Sequence, residues 1–381
     1  MSALPPLRRP ATRPPTKALL SALERTLAVL GLAGVLGLPA LGATVSPWHL
    51  GANPAALAAP AAINSLGIDA GPHPVVVAVL DSGVLAEHPS LQGRLLPGYD
   101  MLSAPANTRG ARSDNFAPDP LDSRCAQRSN SRAIRTHGTE VTSLIAGNGA
   151  NNVLGVHPQA MVLPVRVIGA CGMTRRDLLD AMRWAAGLPV EGVALNPHPA
   201  QIINLSLAGG SANCSPSLQA LVNQLTAKGI FVVAAAGNNF QKPLQEPANC
   251  QGVIAVGAVD AENRIEVYSA LDPRTPIYAP GGGKSLQSGL PWGINKLRVA
   301  TYDLDFFGRE RANALDRGVG TSYAAPLVSG FIALWLSHQP HKKPADLVHE
   351  LPQFLRPVEP IDKCSDCQPR GLAASADRLK P

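Results

Sequence analysis

Four side chains in this sequence are of the types that acyl-transfer chemistry needs: Ser322, His137, Asp81 and Asn238. A serine hydroxyl is a poor nucleophile near neutral pH. It is activated when an adjacent imidazole takes its proton and a carboxylate holds that imidazole in the right tautomer. Attack on a carbonyl then builds an oxyanion, which needs preformed hydrogen-bond donors. His137 and Asp81 suit the first two roles. The side-chain amide of Asn238 and the backbone N–H of Ser322 suit the third.

The surroundings of these residues say how they would be held. In GVGTSYAAPLVSG (Gly318 to Gly330) a small-residue turn runs into a helix-compatible stretch, so Ser322 is expected at a helix start. There the positive end of the helix dipole would lie under an oxyanion. The same reading puts Pro326 in the first helical turn, where its missing N–H costs little. THGTEVTSLIAG places His137 just ahead of a helix whose apolar positions Val141, Leu144 and Ile145 share one face. PVVVAVLDSG ends a β-branched, doubly buried strand at Asp81, and FVVAAAGN ends another at Asn238. Taken singly, each residue has a plainer reading as a helix cap or a turn residue. Their shared placement at the edge of one sheet is what joins them.

That sheet follows from the alternation of patterns. Strand-like Met161–Ile168, Gln201–Leu207, Phe231–Asn238 and Val253–Val259 are interleaved with helix-like Thr174–Ala186 and Ser215–Gly229. Strands and helices of these lengths imply right-handed crossovers, giving an α/β fold: a doubly wound, mostly parallel sheet with helices on both faces. Ligands in such folds bind beyond the C-terminal ends of the strands. After Ser322 the run SYAAPLVSGFIALWLS is apolar enough for a buried central helix ending near His338, and a last amphipathic helix is expected over about Ala345–Leu355.

The formal charge of +6 does not point to nucleic acid. Five basic residues (Arg8, Arg9, Arg13, Lys17, Arg25) stand against one acid, Glu24, in residues 1–43, and the remainder carries no basic stripe. After that basic leader the apolar stretch Thr26–Ala43 has the length and small-residue end of a signal peptide, with cleavage expected near Gly42 or Ala43. Pro39 and the short span argue against a stable membrane span; an uncleaved anchor or a buried helix are the alternatives. Residues 44–73, rich in Ala and Pro, are expected to wrap the surface as an arm with a short helix.

The cysteines agree with export. Cys125, Cys171, Cys214, Cys250, Cys364 and Cys367 form an even set beyond the leader, as in exported disulfide proteins, and the sequence alone leaves their pairing open. Zinc at Cys364 and Cys367 is the competing idea, without a second Cys-x-x-Cys pair to complete a site. Calcium at the loop acids Asp114, Asp119 and Asp122 is the alternative to a solvated loop, which is the commoner reading, and the spacing is not that of an EF-hand.

The contexts VLDSG, HGTEV, AAGN and GTSYAAP, in the order Asp, His, Ser, resemble the subtilisin-like serine peptidases, the subtilases, from about Trp48 to Ala374. That triad order is the known one for subtilisin, so it is recognised and not deduced. The resemblance implies a subtilisin-like three-layer sandwich over 74–375, between the arm and a short tail over 376–381. It implies a secreted or periplasmic bacterial serine endopeptidase, a monomer acting on protein or peptide substrates with no cofactor required for chemistry and structural calcium not located. Asp81 becomes the orienting acid, His137 the base, Ser322 the nucleophile and Asn238 the oxyanion donor. SLAGG (Ser206–Gly210) resembles the edge that pairs with substrate and lines the first specificity pocket, through Ser206, Leu207, Ala208 and Gly209; Ala235, Ala236 and Gly237 would form the other wall. Cysteine contexts resemble those of secreted bacterial subtilases paired as Cys125–Cys171, Cys214–Cys250 and Cys364–Cys367.

The chain also departs from the family. Tyr323 stands where Met is common, Leu327 where His is usual and Ser329 where Ala is usual. Ala208 replaces the first Gly of the edge motif, which bears on the pocket. The stretch between the expected cleavage point and the first strand is too short for the folding segment that many secreted subtilases carry. A catalytically silent subtilase fold used for binding is the alternative function. An esterase of the α/β-hydrolase type is disfavoured, since its histidine would follow its serine.

Overall fold

A strand's period of two divides its side chains between two faces, and the first long strand of this chain shows both faces in use. The computed structural model describes residues 48–51, 62–103, 107, 112–119, 131–239, 243–283, 297–301, 303–304, 310–311, 315–358, 367, 369–372 and 376–379. In strand β1 (Val76–Asp81), Val77 and Val79 enter one apolar core while Ala78 and Leu80 enter another on the opposite side. A strand buried on both faces is the signature of a parallel sheet covered on each side.

Among the described residues, the main sheet has nine strands. They are β1, β2 (Tyr99–Asp100), β3 (Met161–Arg166), β4 (Ile202–Leu205), β5 (Phe231–Ala235), β6 (Val253–Val259), β7 (Ile277–Pro280), β12 (Leu355–Pro357) and β13 (Arg370–Leu372). Their order is β12-β13-β7-β6-β5-β4-β1-β3-β2, parallel throughout except for the β12–β13 pair at one edge. Short antiparallel pairs complete the strands: β8 (Leu297–Ala300) with β11 (Leu315–Gly318), and β9 (Asp303–Leu304) with β10 (Glu310–Arg311). The chain builds β2 and β3 on one side of β1 and then crosses to β4 on the other. That reversal is the switch point at which a doubly wound sheet opens a crevice.

Helices α1 (Ser131–Ala146) and α4 (Thr321–His338) feed the core on one face. Helices α2 (Arg175–Ala185) and α3 (Pro216–Ala227) feed the core on the other. In α4 every residue except Ser322 and His338 is buried, as the uninterrupted apolar run predicts for a central helix. Two short helices, α5 (Pro344–Glu350) and α6 (Ala376–Leu379), lie towards the C-terminus. The expected α/β architecture is the one observed. Among the described residues, no helix is long and apolar enough to cross a membrane.

Several local expectations need correction. Helix α1 begins at Ser131, so His137 lies inside it and not at its start; SRAIRT carries no breaker, and Gly138 does not stop the helix. Gly138 is needed for another reason, since a Cβ there would lie 2.2 Å from the Gly83 carbonyl oxygen. The missing side chain lets α1 rest against the turn that follows β1. Pro326 sits in the second turn of α4, beyond the first, where its missing N–H leaves the Ser322 carbonyl without its helical partner. The last amphipathic stretch is an α-helix only to Glu350 and continues as a 3-10 turn, Leu351–Phe354, because Pro352 cannot donate to the helical ladder. The arm also does more than wrap the surface: its short helix, Trp48–Leu50, is present, but Leu50 and Ile63 are fully buried in the core beside α4. The leader over 1–43 lies outside the described residues.

Candidate active site

Strand β1 ends by delivering Asp81 to the crevice with only 1 % of its surface exposed. Its Oδ1 accepts the Ser82 N–H at 2.7 Å, which fixes the carboxylate. His137 Nδ1 lies 2.9 Å from Oδ1 and 3.0 Å from Oδ2. A ring nitrogen facing a carboxylate carries the proton, which leaves Nε2 as the acceptor in the neutral ring. Burial works to lower the affinity of His137 for a proton. The Asp81 charge and hydrogen bond, aided by the charge of Glu140, outweigh burial and hold the imidazole above its ordinary value.

Ser322 is the second residue of α4, after Gly320 and Thr321. Asn238 comes from the turn after β5. Its Oδ1 accepts both the Thr321 N–H, at 2.8 Å, and the Thr321 hydroxyl, at 2.9 Å. A backbone N–H can only donate, so this end of the amide must be oxygen and the Nδ2 end points the other way. A Cβ placed on Gly320, whose φ is 150°, would lie 3.0 Å from Asn238 Nδ2 and 3.2 Å from Ser322 Oγ. Glycine at 320 therefore keeps open the space that the amide and the hydroxyl share.

Asp81, His137, Ser322 and Asn238 line one cavity of about 560 Å³. Four sequence segments remote from each other thus converge where the fold predicts a site. A profile of the Subtilase family matches residues 73–354. The chain belongs to the subtilase family. It is 36 % identical over 275 residues to an extracellular basic protease of Dichelobacter nodosus, a match covering 69 % of this chain and 43 % of the relative. An extracellular protease of Xanthomonas campestris pv. campestris is likewise 36 % identical, over 70 % of this chain and 44 % of its own length. The chain therefore spans less than half of these relatives. Among solved structures, a protease from Pseudoalteromonas arctica superposes with a TM-score of 0.67 at 30 % identity, covering 83 % of this chain and 92 % of that one.

Of the subtilase pocket residues expected from sequence, Ser206, Leu207, Ala208, Ala235 and Gly237 line the cavity. Two do not. Ala236 is 1 % exposed and belongs to the core behind the pocket, and the Gly209 N–H is bound to the Glu246 carbonyl at 3.0 Å. The cavity also takes in Ile168, Asn239, Gln245, Val319, Thr321 and Tyr323. Adjacency to a motif could have flagged Asn239, Thr321 and Tyr323. Gln245 comes from an aperiodic Pro-rich loop and Ile168 from the end of a buried run, which carry no such signal.

Below the cavity a hydroxyl–amide chain crosses from sheet to helix. Ser329 Oγ donates to Asn204 Oδ1 at 2.8 Å, Asn204 Nδ2 to Ser206 Oγ at 2.9 Å, and Ser206 Oγ to the Ser322 carbonyl at 2.7 Å. Ser329, conspicuous in sequence as a departure, is its far end.

Cys214 and Cys250 form a disulfide, the pair implied by the family resemblance. Cys171 and Cys367 are also disulfide-bonded, while Cys125 and Cys364 lie outside the described residues. Of the loop acids, Asp119 is buried against the Arg166 guanidinium and accepts the Ala170 N–H at 2.6 Å, so its carboxylate already has partners. Asp122 lies outside the described residues. No cluster of three or more metal-ligating side chains occurs among the described residues.

Proposed function

We propose that this subtilase is a serine endopeptidase that hydrolyses peptide bonds of proteins through an acyl-enzyme, in the periplasm or outside a bacterial cell. The observation that carries the reading is the Asp81–His137 pair at the wall of the cavity that also holds Ser322 and the Nδ2 end of Asn238. Ser322 Oγ attacks the substrate carbonyl as His137 Nε2 takes its proton. Asp81 holds the imidazole through Nδ1 and stabilises its charge. The carbonyl oxygen, now negative, is met by Asn238 Nδ2 and the Ser322 N–H at the positive end of α4. His137 returns the proton to the departing amine, and water, deprotonated by the same imidazole, releases the acid.

The segment Ser206–Gly210 just past β4 supports an extended substrate docking as an added strand, with its side chain before the cut meeting the part of the cavity lined by Ala208 and Gly237. The chemistry uses no cofactor and one chain suffices for it.

Casein hydrolysis by the mature chain and by Ser322→Ala, together with fluorophosphonate labelling, tests the proposal. Cleavage and labelling that both vanish in the variant are expected. A folded wild type that neither cleaves nor labels would replace this reading with the binding protein considered from sequence.

A further inference from the structure

Glu140 and Tyr323 are both buried beside the reacting groups, at 6 % and 9 % exposure, and the triad does not use either. Glu140 lies one helical turn after His137 on α1, so both side chains share a face. Tyr323 follows Ser322 on α4. The Tyr323 hydroxyl donates to Glu140 Oε2, and the Thr301 hydroxyl donates to Oε1 at 2.9 Å. Two hydroxyl donors, one on each oxygen, suit an ionised carboxylate, which only accepts. The Tyr323 ring meets the His137 ring edge to face, with centroids 5.6 Å apart and an interplanar angle of 71°. The phenol therefore braces the imidazole with its ring and grips the imidazole's own helix with its hydroxyl.

Resting on the peptidase reading above, we propose that Glu140 and Tyr323 are a positioning pair. Their hydrogen bond ties the helix of the base to the helix of the nucleophile, and the Glu140 carboxylate sets a second negative charge behind the imidazole. Both residues fall where the family motifs are open or filled differently: Glu140 is the x of H-G-T-x-V, and Tyr323 replaces the common Met. Among the described residues, the titratable groups facing His137 are Asp81 from β1, Glu140 from its own helix and the Tyr323 phenol from α4. A second anion favours imidazolium, stabilising the charged intermediate of the acylation step. It also delays the appearance of the free base as pH rises.

Glu140→Gln keeps the size and a hydrogen-bonding oxygen but removes the charge. Tyr323→Phe keeps the ring but removes the tie. The His137 imidazole is titrated by 15N NMR in both variants and the wild type, with its signal assigned by loss in His137→Ala, and kcat and KM are measured across pH. In Glu140→Gln the His137 midpoint and the acid limb of kcat/KM are expected to fall together by about one pH unit. In Tyr323→Phe kcat is expected to fall about tenfold at unchanged KM, the mark of lost orientation. A His137 midpoint in Glu140→Gln equal to that of the wild type would overturn the proposal, even if the variant were less stable. The NMR titration does not depend on turnover, so a shifted midpoint in a chain that cleaves nothing would remove the peptidase reading and leave the electrostatic pairing standing.

Discussion

The Ser206 hydroxyl donates to the carbonyl oxygen of Ser322 at 2.7 Å, across the boundary between sheet and central helix. In a regular helix that carbonyl would receive the N–H four residues on. Here that residue is Pro326, which has none. The hydroxyl of a strand end thus completes the backbone of the nucleophile itself.

Replacing Ser206 by Ala leaves the Ser322 carbonyl and the Asn204 amide without this partner, at an expected cost of about 1–3 kcal/mol in urea unfolding. Restoring an N–H with Pro326→Ala in the same chain should recover part of the loss. Additive costs in that double-mutant cycle would show that the two residues are not coupled.

Asn238→Asp keeps the oxygen that accepts from Thr321 and removes the Nδ2 donor. Turnover should fall by about 10²–10³ or more while the melting temperature changes little, the magnitude being one that comes from subtilisin itself. An unchanged kcat would take Asn238 out of the oxyanion site.

The Ala208 methyl lies 3.5 Å from where a Cβ on Gly237 would be, so it narrows the gap between the two segments that line the cavity. Ala208→Gly opens that gap by one methyl group. The preference for a large over a small side chain before the cut, read as a ratio of kcat/KM on Phe and Ala peptides, should rise about tenfold or more. No change would place the side chain elsewhere.

Two histidines make the fold sensitive to acid. Burial pushes His49 down to about 3, and burial with the charges of His338 and Arg94 pushes His157 down to about 4. The folded state holds both neutral, whereas the unfolded chain protonates them near pH 6.5. Their contribution is therefore whole above pH 6.5 and is lost as pH falls towards 4, at up to about 1.4 kcal/mol per pH unit for each. His137 acts in the opposite sense: its raised value adds stability below pH 6.5 that is lost as pH rises through its folded value, a smaller effect for a partly exposed group. Unfolding free energies measured between pH 7 and 4 should decline, and His157→Gln should make the decline shallower. A flat profile would mean that neither histidine is buried neutral.

The architecture was legible in the sequence, and so were the four side chains that gather at the cavity. Alternating apolar runs require a covered parallel sheet because each strand has two apolar faces to bury, and the motifs around Asp81, His137, Asn238 and Ser322 are local, with each residue's type and neighbours visible in a few positions. The remaining relations depend on partners far along the chain, which only packing brings together. That Pro326 needs Ser206, that Glu140 meets Tyr323, and that Thr321 turns the Asn238 amide are hydrogen bonds between elements, set by how sheet and helices pack. The extent of α1 before His137 is not legible in the sequence for a related reason: helix propensity is weak, and packing of Gly138 against Gly83 overrides it. Periodicity reports which face of an element is buried. It carries no information on which side chain of another element will be waiting there.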